Sequence, residues 1–337
     1  MTRAIIVFVL ITIIGLPSAR AGSLAEISPA EVAKYQGDGG KLRLMTNPLG
    51  TDSFARYTMQ KYQLDKKYGF ELQFVPFTST PAQITVLQAG GGDVGTMNWV
   101  DVSRLRNAGV KISGIGPMVK WCDHFVVPID SPIRSAGDLK GRKLGIVNRT
   151  NLNWLVLKTL ALKEYKMDLE KEATLVEGGP TLMRGLLEQG QLDAAVSFNI
   201  FTPGLVLTGK FRVLAQTREL TMQLGLPDVA FVFYTVNADY AAAHPANVRA
   251  FLAALREAVA ILRTDDAMWV EQGHEMKMED AAIPPLRDEM RADMLSSFDA
   301  TTEATIRKTF DLLLATAGPE VMGFTRMPDG FMTLEYQ

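Results

Sequence analysis

Cysteine is nearly absent from this sequence of 337 residues, because Cys122 is the only one. A single thiol excludes an intramolecular disulfide, so stability must come from a large core. Histidine is also scarce, with three residues, and no H-x-E or C-x-x-C pattern of the kind that binds zinc is present. Phosphate-binding P-loops and the G-x-S-x-G nucleophile elbow are missing as well. We therefore predict no metal, no cofactor and no catalytic residue.

Charge of one sign is not concentrated anywhere in the chain. The 35 basic and 37 acidic residues are interspersed and give a formal net charge of −2. Binding to nucleic acid or to an anionic membrane surface needs a basic patch or arm, which this pattern lacks. Beyond the N-terminal region, no apolar run approaches the roughly 20 residues that a membrane-spanning helix requires. We expect a soluble globular protein of about two domains.

The first residues have the pattern of a secretory signal peptide. Arg3 precedes an apolar stretch over residues 4–16, and the small-residue pattern Ala19-Arg20-Ala21 follows. We expect residues 1–21 to be cleaved and the protein to be periplasmic; an uncleaved N-terminal anchor is the alternative. No cysteine lies near the cleavage site, so we do not expect a lipid anchor.

Two stretches of the chain repeat the same order of strands, turns and helices. The first begins with the alternating strand pattern of residues 41–46 and the second with residues 143–147. Each continues through a helix, a second strand, a proline-containing loop, another helix and a turn into a strand that aspartate precedes. Equivalent landmarks lie about 100 residues apart: Asn47 and Asn148, Pro81 and Pro180, Asp93 and Asp193, Asn98 and Asn199.

This alternation of strands and helices predicts an α/β protein whose parallel sheets are covered on both faces. After the second copy, residues 211–215 and 229–235 are further predicted strands, and Pro245 begins an amphipathic helix that ends near Arg263. Helical material continues to Ala317. We expect two lobes with a binding cleft between them; two halves of a single sheet are the alternative.

Three segments carry a resemblance to a known family: residues 130–133 (DSPI), residues 138–145 (DLKGRKLG) and the turn at residues 90–95 (GGGDVG). Through them the chain, from about Lys41 to Arg263, resembles the periplasmic binding proteins of ABC importers in the nitrate, sulfonate and thiamine-precursor group.

The resemblance implies the type II periplasmic binding protein fold, with two lobes that are each a mainly parallel sheet flanked by helices. Lobe 1 would comprise residues 41–125 and 233–337, and lobe 2 residues 128–228. Two crossing strands near residues 125–128 and 228–233 would form the hinge. The implied partners are a small-molecule ligand and the permease and ATPase of an ABC importer, and we expect a monomer.

Ligands of open α/β sheets sit beyond the carboxyl ends of strands, beside helix N-termini that favour negative charge. At such a place Arg149 could clamp an oxyanion with two hydrogen bonds. A solvated surface arginine is the alternative, and helix capping is the alternative for the polar candidates. These other loop candidates are Asn47, Thr51, Thr80, Asn98, Asn148, Asn151, Gly179 and Asn199.

Aromatic residues at strand ends are the second group of candidates. Trp99, Trp121 and Phe198 lie at predicted strand ends or in the first helical turn after a candidate loop, where a ring can stack on a planar ligand. The alternative for each ring is packing in the core.

We therefore predict a binding protein for a small organic anion of the sulfonate or aromatic carboxylate type. A neutral pyrimidine-like ligand and a role beside an extracytoplasmic sensor are alternatives. Eukaryotic thiamine-pyrimidine synthases share the implied fold and are enzymes, but they carry a cysteine-rich motif that this chain lacks. Cys122 and His124 stand two positions apart without further clustered ligands, so we expect no enzymatic activity.

Overall fold

A computed structural model describes residues 27–295 and 297–337 of the chain. The expected signal peptide, residues 1–21, lies outside the described residues. The strands of the described part are β1 (Lys41–Thr46), β2 (Glu71–Pro76), β3 (Val94–Asn98), β4 (Ile112–Lys120), β5 (His124–Pro128), β6 (Lys143–Ile146), β7 (Thr174–Glu177), β8 (Ala194–Ser197), β9 (Phe211–Gln216) and β10 (Ala230–Asn237).

Helices connect and cover these strands. They are α1 (Pro29–Ala33), α2 (Ser53–Lys61), α3 (Leu64–Lys67), α4 (Thr80–Gln88), α5 (Trp99–Asn107), α6 (Leu152–Tyr165), α7 (Leu169–Glu172), α8 (Pro180–Glu188), α9 (Thr202–Leu207), α10 (Thr217–Gln223), α11 (Ala238–Ala243), α12 (Pro245–Thr264), α13 (Asp266–Glu275), α14 (Ile283–Asp293), α15 (Thr302–Ala317) and α16 (Pro319–Met322). Proline at the first turn of α4, α8 and α12 is compatible with a helix start, because the N–H that proline lacks has no partner there in any case.

The strands form two five-stranded sheets with equivalent topology. The first has the order β2-β1-β3-β10-β4 and the second β7-β6-β8-β5-β9. In each sheet the first three strands are parallel, and the fourth pairs antiparallel with both of its neighbours. The predicted α/β class and the internal repeat are confirmed, and the alternative of one continuous sheet is wrong.

Details of the repeat are conserved at the level of single hydrogen bonds. The Asp93 carboxylate accepts the backbone N–H of Arg43 at 2.8 Å, and the Asp193 carboxylate accepts that of Lys143 at 2.7 Å. Before these aspartates, Gly90 and Gly190 have φ of 69° and 68°, a left-handed conformation that favours glycine. Each aspartate thus anchors the beginning of its strand to the neighbouring parallel strand of the sheet, β1 or β6.

Two strands exchange between the halves of the chain. β5 follows β4 of the first sheet but lies between β8 and β9 of the second, whereas β10 follows the second half and lies between β3 and β4. Residues 124 and 125, which we expected in lobe 1, thus belong to the second sheet. The first passage between the sheets is residues 121–123, before the expected position.

The C-terminal region contacts both halves of the molecule. Helix α15 packs against α6, while the segment after α16 returns to β4 of the first sheet. There the N–H of Gly114 donates to the carbonyl of Phe331 at 2.9 Å, and the Phe331 ring is fully buried. Residues 302–337, expected within lobe 1, therefore contact elements of both halves, α6 through α15 and β4 through the segment after α16.

Candidate functional site

A cavity of about 430 Å³ lies between the two sheets, at the carboxyl ends of their central strands. Its wall contains residues from both halves of the chain and from the passage at residues 121–123. Most wall residues follow a strand or begin a helix, which is where open α/β sheets bind ligands. Six of them show this arrangement: Asn47, Thr80, Asn98, Asn148, Asn151 and Phe198.

Seven of the predicted site residues lie on this wall, namely Asn47, Thr51, Thr80, Asn98, Asn148, Asn151 and Phe198. Several of them also shape the local backbone. Asn98 caps α5 by accepting the N–H groups of Val100 and Asp101, and Asn151 caps α6 by accepting that of Asn153. Their contact with a ligand stays a prediction.

Arg149 is not on the wall, which corrects the expectation that it clamps an anion there. Its Nε donates to Glu177 Oε1 at 3.0 Å, and its Nη1 is paired with Glu170. The side chain is half exposed, and both carboxylates belong to the second half of the chain. Two carboxylates thus hold the guanidinium away from the cavity.

Both predicted tryptophans are fully buried and absent from the wall, so the expectation that they stack on a ligand is corrected too. Trp121 lies behind the wall, stacked on Phe231 with ring centroids 4.7 Å apart. Phe231 is the aromatic ring that lines the cavity in its place. Trp99, at the start of α5, is part of the same buried apolar cluster.

Gly179 and Asn199 are also absent from the wall. Gly179 is exposed and precedes α8, at the position that Ser79 occupies before α4. Asn199 is fully buried, and its Oδ1 accepts a hydrogen bond of 3.3 Å from Thr51 Oγ1. Its backbone N–H donates to Asp123 Oδ1 at 3.3 Å. Asn199 therefore joins two wall residues without lining the cavity itself.

Four charged wall residues escaped the sequence analysis: Asp52, Asp101, Arg104 and Asp123. Arg104 Nη1 donates to Asp101 at 3.0 Å, and its other nitrogens bind the carbonyls of Val321 and Met322. A sequence signal for Asp52 and Asp101 does exist. Both lie where a strand has ended and the next helix begins, Asp52 between β1 and α2 and Asp101 in the first turn of α5.

The two remaining carboxylates, Asp52 and Asp123, are almost completely buried. Asp52 accepts a hydrogen bond of 2.7 Å from Thr46 Oγ1, and Asp123 one of 2.8 Å from Asn153 Nδ2. Burial raises the pKa of Asp52 above its usual range and that of Asp123 to about 6, because desolvation disfavours the charged form.

Apart from Gln83, whose Nε2 donates to the Thr96 carbonyl at 3.0 Å, the rest of the buried wall is apolar and includes the thiol of the single cysteine. Met97, Met118, Val119 and Phe231 surround this part of the cavity. Burial raises the pKa of the Cys122 thiol well above its usual value, because desolvation disfavours the thiolate. Such a thiol has the properties of a packing residue rather than of an activated nucleophile.

A second buried polar cluster lies beside the passage between the sheets. Arg218 of α10 is paired with Asp293 of α14, and His124 Nε2 of β5 lies 3.5 Å from Glu289 Oε1 of α14. Burial, together with the charges of Asp293 and Asp123, raises the pKa of Glu289 to about 8. Burial and the charge of Arg218 lower the pKa of His124 to about 4.

Two duplicated α/β halves with a polar cavity between them define the architecture of a two-lobed ligand-binding protein. The NMT1/THI5 like family matches residues 65–266, about three fifths of the chain. The chain belongs to this family.

Individual relatives agree with this assignment. A protein of Escherichia coli (strain K12) with the name "Putative aliphatic sulfonates-binding protein" is 26% identical over 204 residues, which are 60% of this chain and 61% of that protein. The chain thus matches about three fifths of that relative's length.

Two solved structures share the fold. The alkanesulfonate-binding protein SsuA of Xanthomonas axonopodis pv. citri, bound to MOPS, is 18% identical with a TM-score of 0.73, covering 87% of this chain and 98% of its own. The periplasmic aliphatic sulphonate binding protein SsuA of Escherichia coli is 21% identical with a TM-score of 0.68, covering 82% and 93%. The fold is that of SsuA-type periplasmic binding proteins.

One structural neighbour belongs to a different class. The desulfurization enzyme DSZB is 18% identical with a TM-score of 0.61, covering 88% of this chain and 97% of its own. The fold therefore supports both binding and catalysis, and the distinction depends on the residues of the site. In the described part of the chain, no helix has the length and apolar character to cross a membrane.

Proposed function

We propose that this protein is a periplasmic solute-binding protein that captures a small organic anion of the sulfonate type and delivers it to an ABC importer. The cavity between the sheets carries this proposal, because residues of both halves form its wall. The names of the relatives support the ligand class and the location. The buried thiol of Cys122 supports binding without chemical conversion.

We further propose that the two sheets are the cores of two lobes that move about the passages at residues 121–123 and 224–229. In this arrangement a ligand favours the closed state through contacts that only that state offers. The anionic group would face the N-termini of α4 and α6, near Thr80 and Asn151, where free N–H groups and the helix dipoles favour negative charge.

The test is a binding screen on the purified protein with propane-1-sulfonate, 2-aminoethanesulfonate, benzenesulfonate, benzoate, nitrate and a neutral aminopyrimidine. A ligand at about 100 times its Kd stabilises the folded state by about 2.7 kcal/mol, which a thermal shift detects. Calorimetry gives the Kd of each hit, and small-angle scattering reports compaction.

We expect a sulfonate hit with micromolar or tighter Kd and a smaller radius of gyration in its presence. Binding of the aminopyrimidine alone would contradict the anion proposal. Mass spectrometry of the mixtures detects conversion of a bound compound to a product. Any such conversion would contradict the non-catalytic role.

A further inference from the structure

The cavity wall carries more negative than positive charge. Its charged side chains in the described residues are Asp52, Asp101, Asp123 and Arg104. Arg104 is already paired with Asp101 at 3.0 Å, and two main-chain carbonyls take its remaining donors. Asp52 and Asp123 form no salt bridge within the described part of the chain. Their partners are neutral groups, the Thr46 hydroxyl and the Asn153 amide.

Both carboxylates belong to the buried end of the cavity. Asp52 is 4% and Asp123 6% exposed, whereas Thr80 and Asn148 on the same wall are exposed. The two are joined through Thr51, next to Asp52, and Asn199, whose backbone N–H donates to Asp123. Both carboxylates line one common space, Asp52 from the first half of the chain and Asp123 from the passage between the sheets.

A bare anion fits this space poorly. Charges in a desolvated site interact far more strongly than in water, so a sulfonate without a cationic partner is repelled by each ionised carboxylate. Arg56 lies close enough to Asp52 to lower its pKa, but burial outweighs that effect. A ligand with its own cation would balance the carboxylates while its anionic group stays near the helix N-termini.

We propose that the ligand carries a protonated nitrogen besides its anionic group, and that this nitrogen binds between Asp52 and Asp123 at the buried end of the cavity. This inference rests on the proposed function and narrows its ligand class to zwitterions. Asp123 sets the preference for a ligand with a protonated nitrogen over a simple anion. It belongs to the passage between the sheets and contacts Asn153 and Asn199 of the second half.

The test compares two pairs of sulfonates with equal numbers of heavy atoms by calorimetry at pH 7.5. They are 2-aminoethanesulfonate with propane-1-sulfonate, and 3-aminopropane-1-sulfonate with butane-1-sulfonate. We expect the amine of at least one pair to bind at least tenfold more tightly than its alkyl partner. This comparison uses the wild-type protein, so it does not depend on the folding of any variant.

Variants then test whether the carboxylates of the cavity wall cause the preference for the amine over its alkyl partner. Asp123→Asn removes the charge and should reduce the preference at least fivefold, and Asp52→Asn is the second variant if the first does not fold. Asp311→Asn removes an equal charge from the exposed face of α15 and should leave the preference unchanged.

The outcomes separate this inference from the proposed function. Alkanesulfonates that bind as tightly as the amines overturn the zwitterion proposal and leave the binding function intact. No binding of the four sulfonates, together with a hit for benzenesulfonate, also overturns only the zwitterion proposal. No hit with any compound overturns both.

Discussion

Thr51 Oγ1 donates a hydrogen bond of 3.3 Å to Asn199 Oδ1, and this bond joins the two halves of the chain beside the cavity. Thr51 precedes α2 of the first half, whereas Asn199 follows β8 of the second. Because Asn199 also donates to Asp123, the bond connects both halves to the passage between the sheets. A contact of this kind exists only while the halves are close together.

Replacing Thr51 with valine should therefore weaken ligand binding by favouring the open state. Loss of one neutral hydrogen bond costs about 1 kcal/mol, which corresponds to roughly a fivefold higher Kd. Calorimetry with the best sulfonate measures this change. Thr264→Val is the control, because the Thr264 hydroxyl donates only to carbonyls of its own helix. Equal Kd values for Thr51→Val and the wild type would contradict the role of this bond in closure.

Arg104 and Arg149 provide a matched pair for the anion site. Arg104→Ala leaves the Asp101 carboxylate on the wall without its cation and releases two carbonyls of the C-terminal segment, so we expect at least tenfold weaker anion binding. Arg149→Ala removes two partly exposed salt bridges outside the wall and should change Kd by less than twofold. A larger loss of affinity in Arg149→Ala than in Arg104→Ala would contradict the placement of Arg104 on the cavity wall and of Arg149 outside it.

The duplicated architecture could be predicted from the sequence, whereas the charged residues of the cavity wall could not. Strand and turn patterns are local, and the spacing of Asn47 and Asn148 reports them directly. The partners of Arg149 are not local, because Glu170 and Glu177 lie on other elements of the second half. Nothing in the loop sequence indicates that these carboxylates capture the guanidinium.

Aromatic residues near strand ends show a second limit of sequence reasoning. Successive side chains of a strand point to opposite faces, so a prediction must assign the register as well as the strand. Trp121 and Phe231 are stacked on each other, yet only Phe231 lines the cavity. Since both are large aromatic residues near the predicted crossing strands, residue type alone could not indicate which of them lines the cavity.

The repeat allows one stability prediction to contain its own control. The buried Asp93 carboxylate pairs with the partly exposed Arg43 side chain and accepts the Arg43 backbone N–H. Asp193 accepts the backbone N–H of Lys143 and forms no salt bridge within the described part of the chain. Asp93→Ala should therefore destabilise the fold by about 2–3 kcal/mol, because it removes several hydrogen bonds to a charged carboxylate. Asp193→Ala should cost about 1–2 kcal/mol. Urea denaturation of both variants checks the order, and a greater loss for Asp193→Ala would contradict it.

The buried Glu289 predicts a pH dependence of stability between pH 6.5 and 8. Burial raises its pKa from 4.5 to about 8, so the folded state retains a proton that the unfolded state has already lost. Stability is therefore lost as the pH rises towards 8, by about 1–2 kcal/mol over this window at up to about 1.4 kcal/mol per pH unit.

Neighbouring groups confine this effect to the stated window. His124, whose pKa falls to about 4, acts in the opposite direction below pH 6.5, and Asp123 has mostly titrated above its pKa of about 6. Thermal unfolding of the ligand-free protein should give a lower Tm at pH 8 than at pH 6.5. Glu289→Gln should flatten this difference, while Glu320→Gln, on the exposed surface of α16, should preserve it. A Tm that rises towards pH 8 in the wild type would show that Glu289 is already ionised in the folded protein.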